Sequence, residues 1–469
     1  MPFEIPRHVF REYDIRGVAA RDLSDELVTA LGAAFAEILS RGGWQERARV
    51  AVCRDCRLSS DRLFAALTSG LTRAGVDVVD LGVGPTPLLY FGAQALKTDG
   101  AVMITGSHNP PDENGFKLLH RTVALSGAEV REVADVIEAR QETPGPEVEA
   151  AGTVSTRDLA TEYVAAVRQG LRLDGFVKKP RVVVDAGNGA AGPLGVRTLR
   201  ELGFEVDALY CDMDGRFPNH HPDPTEEHNL VALRARVAEL GADLGIAWDG
   251  DGDRLGVLDR TGAIIWGDKL MILFARALLA ERPGATILGE VKCSETLYAD
   301  IRARGGRAIV GQTGHSLIKK RMKQEGAALA GEMSGHLFFA DRYFGYDDAI
   351  YAAARLLEIV GREGKGPDEL LADVPRTAST PEIRVPCPDD LKFRVVERVL
   401  AHYRSRYRVL EVDGARIDFG GGAWGLCRAS NTQPVLVLRF EAHDASRCDA
   451  VRADVEAVVA EAKRALGAA

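Results

Sequence analysis

The stretch "RVAVCRDCRLSSDRLFAALTSGLTRAGVDVVDLG", residues 49–82, contains an apolar run, a polar loop, an amphipathic segment and a second apolar run. The same order recurs in "KPRVVVDAGNGAAGPLGVRTLRELGFEVDALYCD" at 179–212 and in "GATILGEVKCSETLYADIRARGGRAIVGQTG" at 284–314. Each unit has about the 30 residues of a strand–helix–strand crossover, which joins parallel strands and covers them with helices. The three copies predict three similar α/β domains in one chain.

The C-terminal part of the chain has a different pattern. A helix-like stretch, "KFRVVERVLAHY" at 392–403, precedes short apolar runs within 416–442 and a second helix-like stretch, "RADVEAVVAEAKRAL" at 452–466. This pattern predicts a smaller α+β domain with an antiparallel sheet. Polar stretches rich in Pro and Gly at 140–152 and 361–375 are typical of linkers. We predict domains at 1–152, 153–257, 258–368 and 369–469, although the boundary near residue 257 has no linker signal.

Composition excludes several classes of protein. The 469 residues are 46% hydrophobic and 27% charged, and no apolar run reaches the roughly 20 residues of a membrane helix. The N-terminal stretch has charges among its apolar residues, unlike a secretory signal. The net charge of −9 argues against nucleic acid as a partner, but Arg and Lys in a cleft can still bind a small anion. The sparse cysteines favour a reduced, cytoplasmic setting.

Alternating aspartates in "DGDGDR", residues 249–254, follow an apolar strand-like run. In extended chain, residues two apart point to the same side, so these carboxylates can converge on one hard cation. The loop of a calcium-binding EF-hand needs Gly at its sixth position and Glu at its twelfth, where this sequence has Arg254 and Arg260. Magnesium is therefore the predicted ion if the substrate carries phosphate, and a solvated acidic turn is the alternative.

A serine follows the apolar run that ends at residue 104, in "TGSHNP", and such strand ends are common sites of chemistry in α/β proteins. Neither this motif nor "GEMSGH" at 331–336 matches the G-x-S-x-G of serine hydrolases. The acid and hydroxyl of "GEMSGH" can bind sugar hydroxyls, and its histidine can assist. In "CRASNTQP" at 427–434, Arg428 offers a planar fork for phosphate, with hydroxyl and amide donors beside it.

Other features of the sequence give weaker evidence for a function. A G-x-G-x-x-G pattern followed by acids about 20 residues on makes dinucleotide binding an alternative. Cys53 and Cys56 form a C-x-x-C without a second ligand pair, which we interpret as a chance pair. His220 and His221 lie in a Pro-bounded loop, and His315 is either a helix-entry residue or a ligand contact. The glycines and acids of the dinucleotide alternative are Gly187, Gly189, Gly192, Asp207 and Asp212.

Taken in chain order, "TGSHNP", "DGDGDR", "GEMSGH" and "RASNTQP" resemble the α-D-phosphohexomutase superfamily, and within it the bacterial phosphomannomutase/phosphoglucomutase group. "YDIRG" at 13–17, "VDAGNG" at 184–189 and "FPNHHPDP" at 217–224 extend the resemblance over nearly the whole chain. It implies an α/β fold with three similar domains that have mixed sheets around a central cleft, plus a smaller C-terminal α+β domain. Along the chain, these domains would carry the phosphoserine loop, the metal-binding loop, the sugar-recognition loop and the phosphate-binding loop.

The resemblance also implies a reaction. Ser107 would be carried as phosphoserine, and Mg²⁺ would be bound by this phosphate together with Asp249, Asp251 and Asp253. The enzyme, an isomerase, would transfer phosphate reversibly between the 1- and 6-positions of mannose and/or glucose phosphates through a hexose 1,6-bisphosphate. Phosphoryl transfer depends mainly on charge neutralisation and positioning, which these residue types supply.

The resemblance assigns further residues to the cleft. Arg16, Lys117 and His336 all remain eligible as general acid/base, and Arg is the least suited because it stays charged. The expected catalytic residues are Ser107, Arg16, His108, Lys117 and His336. The expected substrate-binding residues are Tyr13, Arg254, Lys292, His315, Glu332, Ser334, Arg428, Ser430, Asn431 and Thr432, and Asn109 also lines the cleft.

With Met333, the sugar loop resembles that of enzymes that take both glucose and mannose, so the resemblance favours hexoses over aminohexoses, with phosphoglucosamine mutase as the alternative. An alkaline-phosphatase-like hydrolase and a non-catalytic phosphosugar-binding protein are further alternatives. We expect hexose phosphates as partners, neither nucleic acid nor membrane, a monomer or weak homodimer, and a mobile last domain. The cysteines of "CRDCR" at 53–57 depart from the family pattern, and we expect this departure to touch none of the proposed catalytic residues.

Overall fold

The computed structural model describes residues 3–41, 47–143, 150–431 and 433–467, so Thr432 lies outside the described residues. Four sheets form in these ranges, three of them mixed and the last antiparallel. Each of the three repeated stretches forms two parallel strands joined by a helix, as predicted. The predicted fold class is confirmed.

The first sheet has seven strands in the order β1-β5-β4-β2-β3-β7, with β6 paired to β5. Strand β4 is central and buried along its whole length, which explains its uninterrupted apolar sequence. Because β7 pairs with β3, this domain continues beyond the predicted boundary at residue 152. The elements are β1 (Ile15–Val18), α1 (Ala19–Asp22), α2 (Asp25–Ser40), β2 (Arg49–Arg54), α3 (Ser60–Arg73), β3 (Asp77–Val83), α4 (Thr86–Leu96), β4 (Gly100–Ile104), β5 (Glu113–His120), β6 (Val123–Ala124), α5 (Ala128–Glu142) and β7 (Val154–Thr156), after a short 3₁₀ turn at Arg7–Val9.

The second sheet has the order β12-β11-β10-β8-β9. Its hairpin strands β11 and β12 run antiparallel to their neighbours and extend the sheet to Ile265. The predicted boundary near residue 257 is therefore wrong, because it falls within a paired strand. The elements are α6 (Ala160–Gln169), β8 (Arg181–Asp185), α7 (Ala191–Glu201), β9 (Glu205–Leu209), a 3₁₀ turn (Glu227–Leu230), α8 (Val231–Leu240), β10 (Leu244–Trp248), β11 (Leu255–Asp259) and β12 (Ile264–Ile265).

The third sheet has four strands in the order β14-β13-β15-β16. The predicted linker at 361–375 begins inside a buried helix, α12, which is capped after Glu363 by Gly364 in a left-handed conformation. The elements are α9 (Gly267–Glu281), β13 (Thr286–Glu290), α10 (Glu295–Ala303), β14 (Arg307–Gly311), α11 (His315–Glu325), β15 (Leu329–Gly331), β16 (Leu337–Phe339), α12 (Ala349–Glu363) and α13 (Pro367–Leu370).

The fourth sheet has the order β17-β22-β21-β20-β19, with β18 also paired to β22. Two long helices cover it, at the two positions that the sequence predicts. The elements are β17 (Ala378–Ser379), β18 (Ile383–Pro386), α14 (Asp389–Tyr403), β19 (Arg408–Leu410), β20 (Ala415–Gly420), β21 (Ala423–Ala429), β22 (Val435–Ala442) and α15 (Ala445–Ala465).

One hydrophobic core runs through the first three domains, and the fourth has a core of its own. The Trp248 indole of β10 donates a hydrogen bond of 3.2 Å to the Ala349 carbonyl of α12, which joins the second domain to the third. Only a small apolar cluster of Val291, Trp424 and Leu426 joins the third and fourth cores within the described ranges. None of the helices in these ranges is long and apolar enough to cross a membrane.

Candidate active site

Ser107 lies in the turn that follows β4 and has a positive φ of 50°. Its hydroxyl oxygen is 3.1 Å from His108 Nδ1 and 3.2 Å from Asp249 Oδ2 of the second domain. A left-handed backbone is costly for a serine and persists only where the surroundings hold it. The strained turn therefore presents the Ser107 hydroxyl directly to the aspartate loop.

A buried ion pair from the loop after β2 holds this turn. The Arg57 guanidinium donates to the carbonyls of Ser107 (2.8 Å), Asn109 (2.6 Å) and Glu113 (2.9 Å), and also to the Pro110 carbonyl. The Asp55 carboxylate bonds Arg57 Nε at 3.1 Å. The two cysteines by which the "CRDCR" loop departs from the family pattern bond the carbonyls of Gly82, Gly84 and Asn188. The arginine of the same loop, in contrast, binds the serine backbone.

Three buried carboxylates converge beside Ser107. One oxygen from each of Asp249, Asp251 and Asp253 lies within 4.8 Å of the others. Lys117 Nζ donates to Asp251 Oδ2 at 2.7 Å and to Asp253 Oδ2 at 2.6 Å. Burial, followed by the charges of Asp253 and Asp251, raises the pKa of Asp249 well above its usual range. Lys117 alone therefore does not balance the charge of the three carboxylates.

The aspartate cluster fits a hard divalent cation. Among the described residues, Asp251 Oδ1 is buried and has no hydrogen-bond partner. An unpaired carboxylate oxygen inside a protein is costly unless a ligand binds it. Carboxylate oxygens are also the ligands that magnesium and calcium prefer. The residues present are therefore suited to hold a divalent metal ion.

His336 connects the sugar loop to the aspartates. Its Nδ1 is 2.7 Å from Glu332 Oε2 and its Nε2 is 3.1 Å from Asp253 Oδ1. Burial opposes protonation of the ring, but Asp253 and Glu332 outweigh it and raise the pKa of His336 to about 10. The Ser334 hydroxyl donates to Glu332 Oε2 at 3.1 Å. His336 is therefore cationic at neutral pH.

Two further arginines line the cleft and have unpaired nitrogens. Arg16 donates to Asn109 Oδ1 at 2.7 Å and to Asp14 Oδ2 at 2.5 Å. Within the described ranges, the Nε atoms of Arg16 and Arg254 are buried without a hydrogen-bond partner. Burial and the charges of Arg254 and Arg16 lower the pKa of the half-buried His108 well below its usual range. The cleft combines cationic guanidinium groups with a neutral imidazole.

The first, third and fourth domains meet at Tyr13. Its hydroxyl donates to the Thr313 carbonyl at 2.9 Å and accepts from Asn431 Nδ2 at 2.5 Å. Its ring packs edge-on against His315 at 5.8 Å between ring centroids. Burial raises the pKa of Tyr13, so its hydroxyl keeps its proton. These contacts bring the predicted phosphate loop to the cleft.

The predicted phosphate loop carries Arg428, whose Nε donates to Asp413 Oδ2 at 2.9 Å. The Ser430 hydroxyl accepts the Gln433 backbone N–H at 3.2 Å, which closes the turn. Lys292 of the third domain bonds Glu382 Oε1 of the fourth at 2.6 Å. Ser107, the aspartates, His336, Tyr13 and the phosphate loop thus surround one cleft.

The loop with His220 and His221 also reaches the serine turn. His221 Nε2 bonds the His108 carbonyl, and His220 Nε2 lies 3.0 Å from Asp185 Oδ2 at the end of β8. This loop also packs against the glycine-rich turn: a Cβ on Gly187 would lie 2.9 Å from the Pro222 ring. Close packing within the protein therefore explains this glycine without a bound dinucleotide.

Sequence reasoning missed several residues of the cleft. Thr86 Oγ1 donates to Asp251 Oδ2 at 2.5 Å, and Glu290 accepts from the Thr313 hydroxyl at 2.5 Å. Asp347 is fully buried, and one of its oxygens lies within 4.8 Å of ligand atoms of Asp253 and His336. For most of these residues, the only feature of the sequence that could have identified them is a polar side chain next to an apolar strand.

Comparisons with known proteins agree with this geometry. Models of the three alpha/beta/alpha domains I, II and III and of the C-terminal domain of phosphoglucomutase/phosphomannomutase match residues 7–144, 161–262, 266–378 and 382–458. A phosphomannomutase/phosphoglucomutase of Pseudomonas aeruginosa is 45% identical over 440 residues, which cover 93% of this chain and 92% of that protein. A phosphoglucomutase of Neisseria meningitidis is 40% identical over 97% of both chains.

A solved structure agrees as well. The crystal structure of a phosphoglucomutase/phosphomannomutase family protein from Burkholderia thailandensis superposes with a TM-score of 0.90, at 39% identity and with 98% of each chain covered. The fold, the order of the four domains and the motifs around the cleft all agree. The chain belongs to the phosphoglucomutase/phosphomannomutase family of enzymes.

Proposed function

We propose that this enzyme interconverts the 1- and 6-phosphates of glucose and/or mannose through a phosphorylated Ser107 and a hexose 1,6-bisphosphate. The contact between Ser107 and the aspartate cluster carries this proposal, since the hydroxyl lies 3.2 Å from Asp249 Oδ2. A serine that donates phosphate needs positive charge close to its oxygen, and three convergent carboxylates are suited to hold that charge as a metal ion.

Magnesium is the proposed metal, with Asp249, Asp251 and Asp253 as its protein ligands. A bound magnesium ion supplies charge that neutralises the phosphoryl oxygens. Lys117 bonds two of these aspartates and fixes their orientation. Arg254 and Arg16 both lie close enough to His108 to lower its pKa, and both have unpaired nitrogens, so they are suited to bind phosphate oxygens.

The first transfer moves the phosphoryl group from Ser107 to the free hydroxyl of a hexose monophosphate. The bond between phosphorus and the serine oxygen breaks and a bond between phosphorus and the sugar oxygen forms. The sugar hydroxyl loses its proton, and the departing serine oxygen takes one up. The side-chain nitrogens of His336 and Lys117 both contact the aspartates, at 3.1 Å for His336 and at 2.6 and 2.7 Å for Lys117. We assign them to charge neutralisation in this step.

The second transfer returns the other phosphate of the bisphosphate to Ser107, after the sugar has turned over in the cleft. The serine hydroxyl then loses its proton, and the departing sugar oxygen takes one up. His108 is suited to accept the serine proton, because its Nδ1 lies 3.1 Å from the serine oxygen and its lowered pKa keeps the ring neutral. Arg428 would bind the phosphate that does not react, and Glu332 and Ser334 would bind the sugar hydroxyls in both orientations.

Turnover of Ser107→Ala tests the proposal. We expect this variant to lose interconversion of glucose 1- and 6-phosphates and of the mannose pair, while it still binds glucose 1-phosphate. Ser155→Ala, at an exposed serine of β7, is the matched control and keeps activity. Retained interconversion in Ser107→Ala would refute the phosphoserine mechanism.

Substrate class needs a separate assay. Turnover of glucose, mannose and glucosamine 1-phosphates is compared side by side with the wild-type enzyme. We expect the glucose and mannose 1-phosphates to react faster, because the sugar loop with Met333 resembles that of enzymes that take both sugars. Faster turnover of glucosamine 1-phosphate would favour the aminohexose alternative, and release of inorganic phosphate without isomerisation would favour a hydrolase.

A further inference from the structure

Two histidines of the third domain lie next to each other, and each has a buried carboxylate beside its Nδ1. The rings of His315 and His336 stack with centroids 5.6 Å apart and planes 29° apart. His336 Nδ1 is 2.7 Å from Glu332 Oε2. His315 Nδ1 is 3.6 Å from Asp347 Oδ2. The second pair repeats the first, although no motif of the sequence includes Asp347.

Asp347 is held firmly in this position. Its backbone forms an antiparallel bridge with Phe338 of β16, and its Oδ1 accepts a hydrogen bond of 2.8 Å from Lys319. In the described parts of the chain, its Oδ2 and His315 Nδ1 are both buried without a hydrogen-bond partner. A donor and an acceptor that face each other without other partners are complementary, because each satisfies the other when they close.

We propose that Asp347 is a positioning residue that holds His315 in the tautomer with its proton on Nδ1, so that Nε2 accepts a hydrogen bond from a sugar hydroxyl. This inference rests on the proposed function. The 3.6 Å separation exceeds a hydrogen bond. A small rotation of the His315 ring closes it, and we expect this rotation when a sugar hydroxyl engages Nε2.

The surroundings of His315 keep its ring neutral, which is why the tautomer matters. The residue begins α11, where the helix dipole disfavours a positive charge. Burial and the charges of Lys319, Lys117 and His336 lower its pKa well below the usual range. A neutral imidazole has one donor and one acceptor nitrogen, and the partner of one nitrogen sets the role of the other.

Lys319 completes the arrangement from the far side of the carboxylate. Its Nζ bonds Asp347 Oδ1, contacts the Tyr90 hydroxyl at 3.1 Å and lies 4.2 Å from the centre of the Tyr90 ring. The lysine thus occupies one carboxylate oxygen and leaves the other facing His315. Asp347 can therefore orient the imidazole without carrying an uncompensated buried charge.

The test combines spectroscopy with a double-mutant cycle in the full-length enzyme. Nitrogen-15 NMR of labelled histidines, assigned with His315→Ala, reports which nitrogen of His315 carries the proton in wild type and in Asp347→Asn. Activity on glucose 1-phosphate is measured for Asp347→Asn, His315→Ala and the double variant. Asp348→Asn is the matched control, because the neighbouring carboxylate bonds Tyr163 and Tyr343 away from His315.

We expect a proton on Nδ1 of His315 in wild type and a shift toward Nε2 in Asp347→Asn, but no shift in Asp348→Asn. Asp347→Asn should lower kcat/KM roughly 10- to 100-fold. The double variant should be no slower than His315→Ala alone, because the two residues act as a unit.

An unchanged tautomer in Asp347→Asn would overturn the proposal. The proposal would also be overturned if the loss of kcat/KM in the double variant equalled the product of the losses in the two single variants. If Asp347→Asn does not fold, the double substitution Lys319→Met/Asp347→Asn removes both buried charges together. The same NMR and activity measurements are then made on that variant. The NMR result does not depend on mutase activity. Failure of this inference is therefore distinguishable from failure of the proposed function, which the Ser107→Ala assay detects.

Discussion

Single residues with distant partners decide the geometry at Ser107. The backbone of the serine turn bonds Arg57, which lies 50 positions earlier in the chain. The side chains of Arg57 and Asp55 are almost completely buried. A buried pair of this kind is costly to break, because the remaining charge has no partner. The conformation of the turn after β4 therefore depends on a residue of the loop after β2.

Arg57→Met should destabilise the fold by roughly 3–5 kcal/mol and lower activity more than about 10-fold, since it leaves Asp55 and several carbonyls unpaired. Urea unfolding and turnover of glucose 1-phosphate measure both effects. Arg54→Met is the control: it breaks pairs with Asp61, which is largely exposed, and Asp80, so we expect a loss of about 1 kcal/mol. Equal effects of the two substitutions would contradict the role of Arg57.

His336 makes stability depend on pH. Its pKa rises from 6.5 to about 10 because Asp253 and Glu332 outweigh burial. A raised histidine pKa stabilises the fold fully below about pH 6.5, and this contribution is lost as the pH rises through 10. In metal-free protein, the difference in unfolding free energy between wild type and His336→Gln should fall over this interval. A difference that stays constant would show that Asp253 and Glu332 do not raise the pKa of His336.

At the scale of secondary-structure elements, two loops from different sheets approach each other closely. Gly250 of the aspartate loop has its α-carbon beside the Ser107 carbonyl, and a Cβ there would lie 2.3 Å from that oxygen. Its amide also donates to the Pro222 carbonyl at 3.1 Å. The contact between the serine turn and the aspartate loop requires a glycine at this position.

Gly250→Ala should push these loops apart, lower kcat/KM at least about 10-fold and raise the magnesium concentration needed for half-maximal activity. Gly361→Ala is the control. Gly361 lies in α12, away from the cleft, and a Cβ there would also be crowded, at 3.0 Å from the Phe176 ring. Magnesium titrations of activity compare the two. A normal magnesium dependence in Gly250→Ala would contradict the close approach.

Periodicity in the sequence predicts the three strand–helix–strand units, the two C-terminal helices and the aspartates after β10, because these patterns are local. It does not predict that β11 and β12 return to the second sheet, since hairpin pairing depends on register rather than on composition. Asp347 and Arg57 were missed because their roles depend on partners far away in sequence. Only the folded chain brings these partners together.

At the scale of the whole molecule, three domains share one core and the fourth is attached more loosely. Its attachment is mostly polar: Arg416, which stacks 3.9 Å from the Trp424 ring of its own domain, donates to the Val291 and Cys293 carbonyls of the third domain at 2.5 and 2.8 Å. Arg439 bonds the Lys292 carbonyl. Interfaces of this kind permit relative motion of domains.

Small-angle scattering of Ser107→Ala, with and without glucose 1-phosphate, tests this motion. We expect a smaller radius of gyration with the sugar phosphate, because its phosphate joins Arg428 to the other domains. Arg416→Met should enlarge the difference, since it loosens the free form. Identical profiles in all four samples would show that the fourth domain does not move.

The most direct measurement of the central claim follows one phosphoryl group. The enzyme is incubated with glucose 1,6-bisphosphate labelled with phosphorus-32, digested, and its peptides are analysed by mass spectrometry and radioactivity. We predict that the label appears on the peptide with Ser107 and passes to unlabelled glucose 1-phosphate at a rate no slower than turnover. Isomerisation without label on Ser107 would contradict the account.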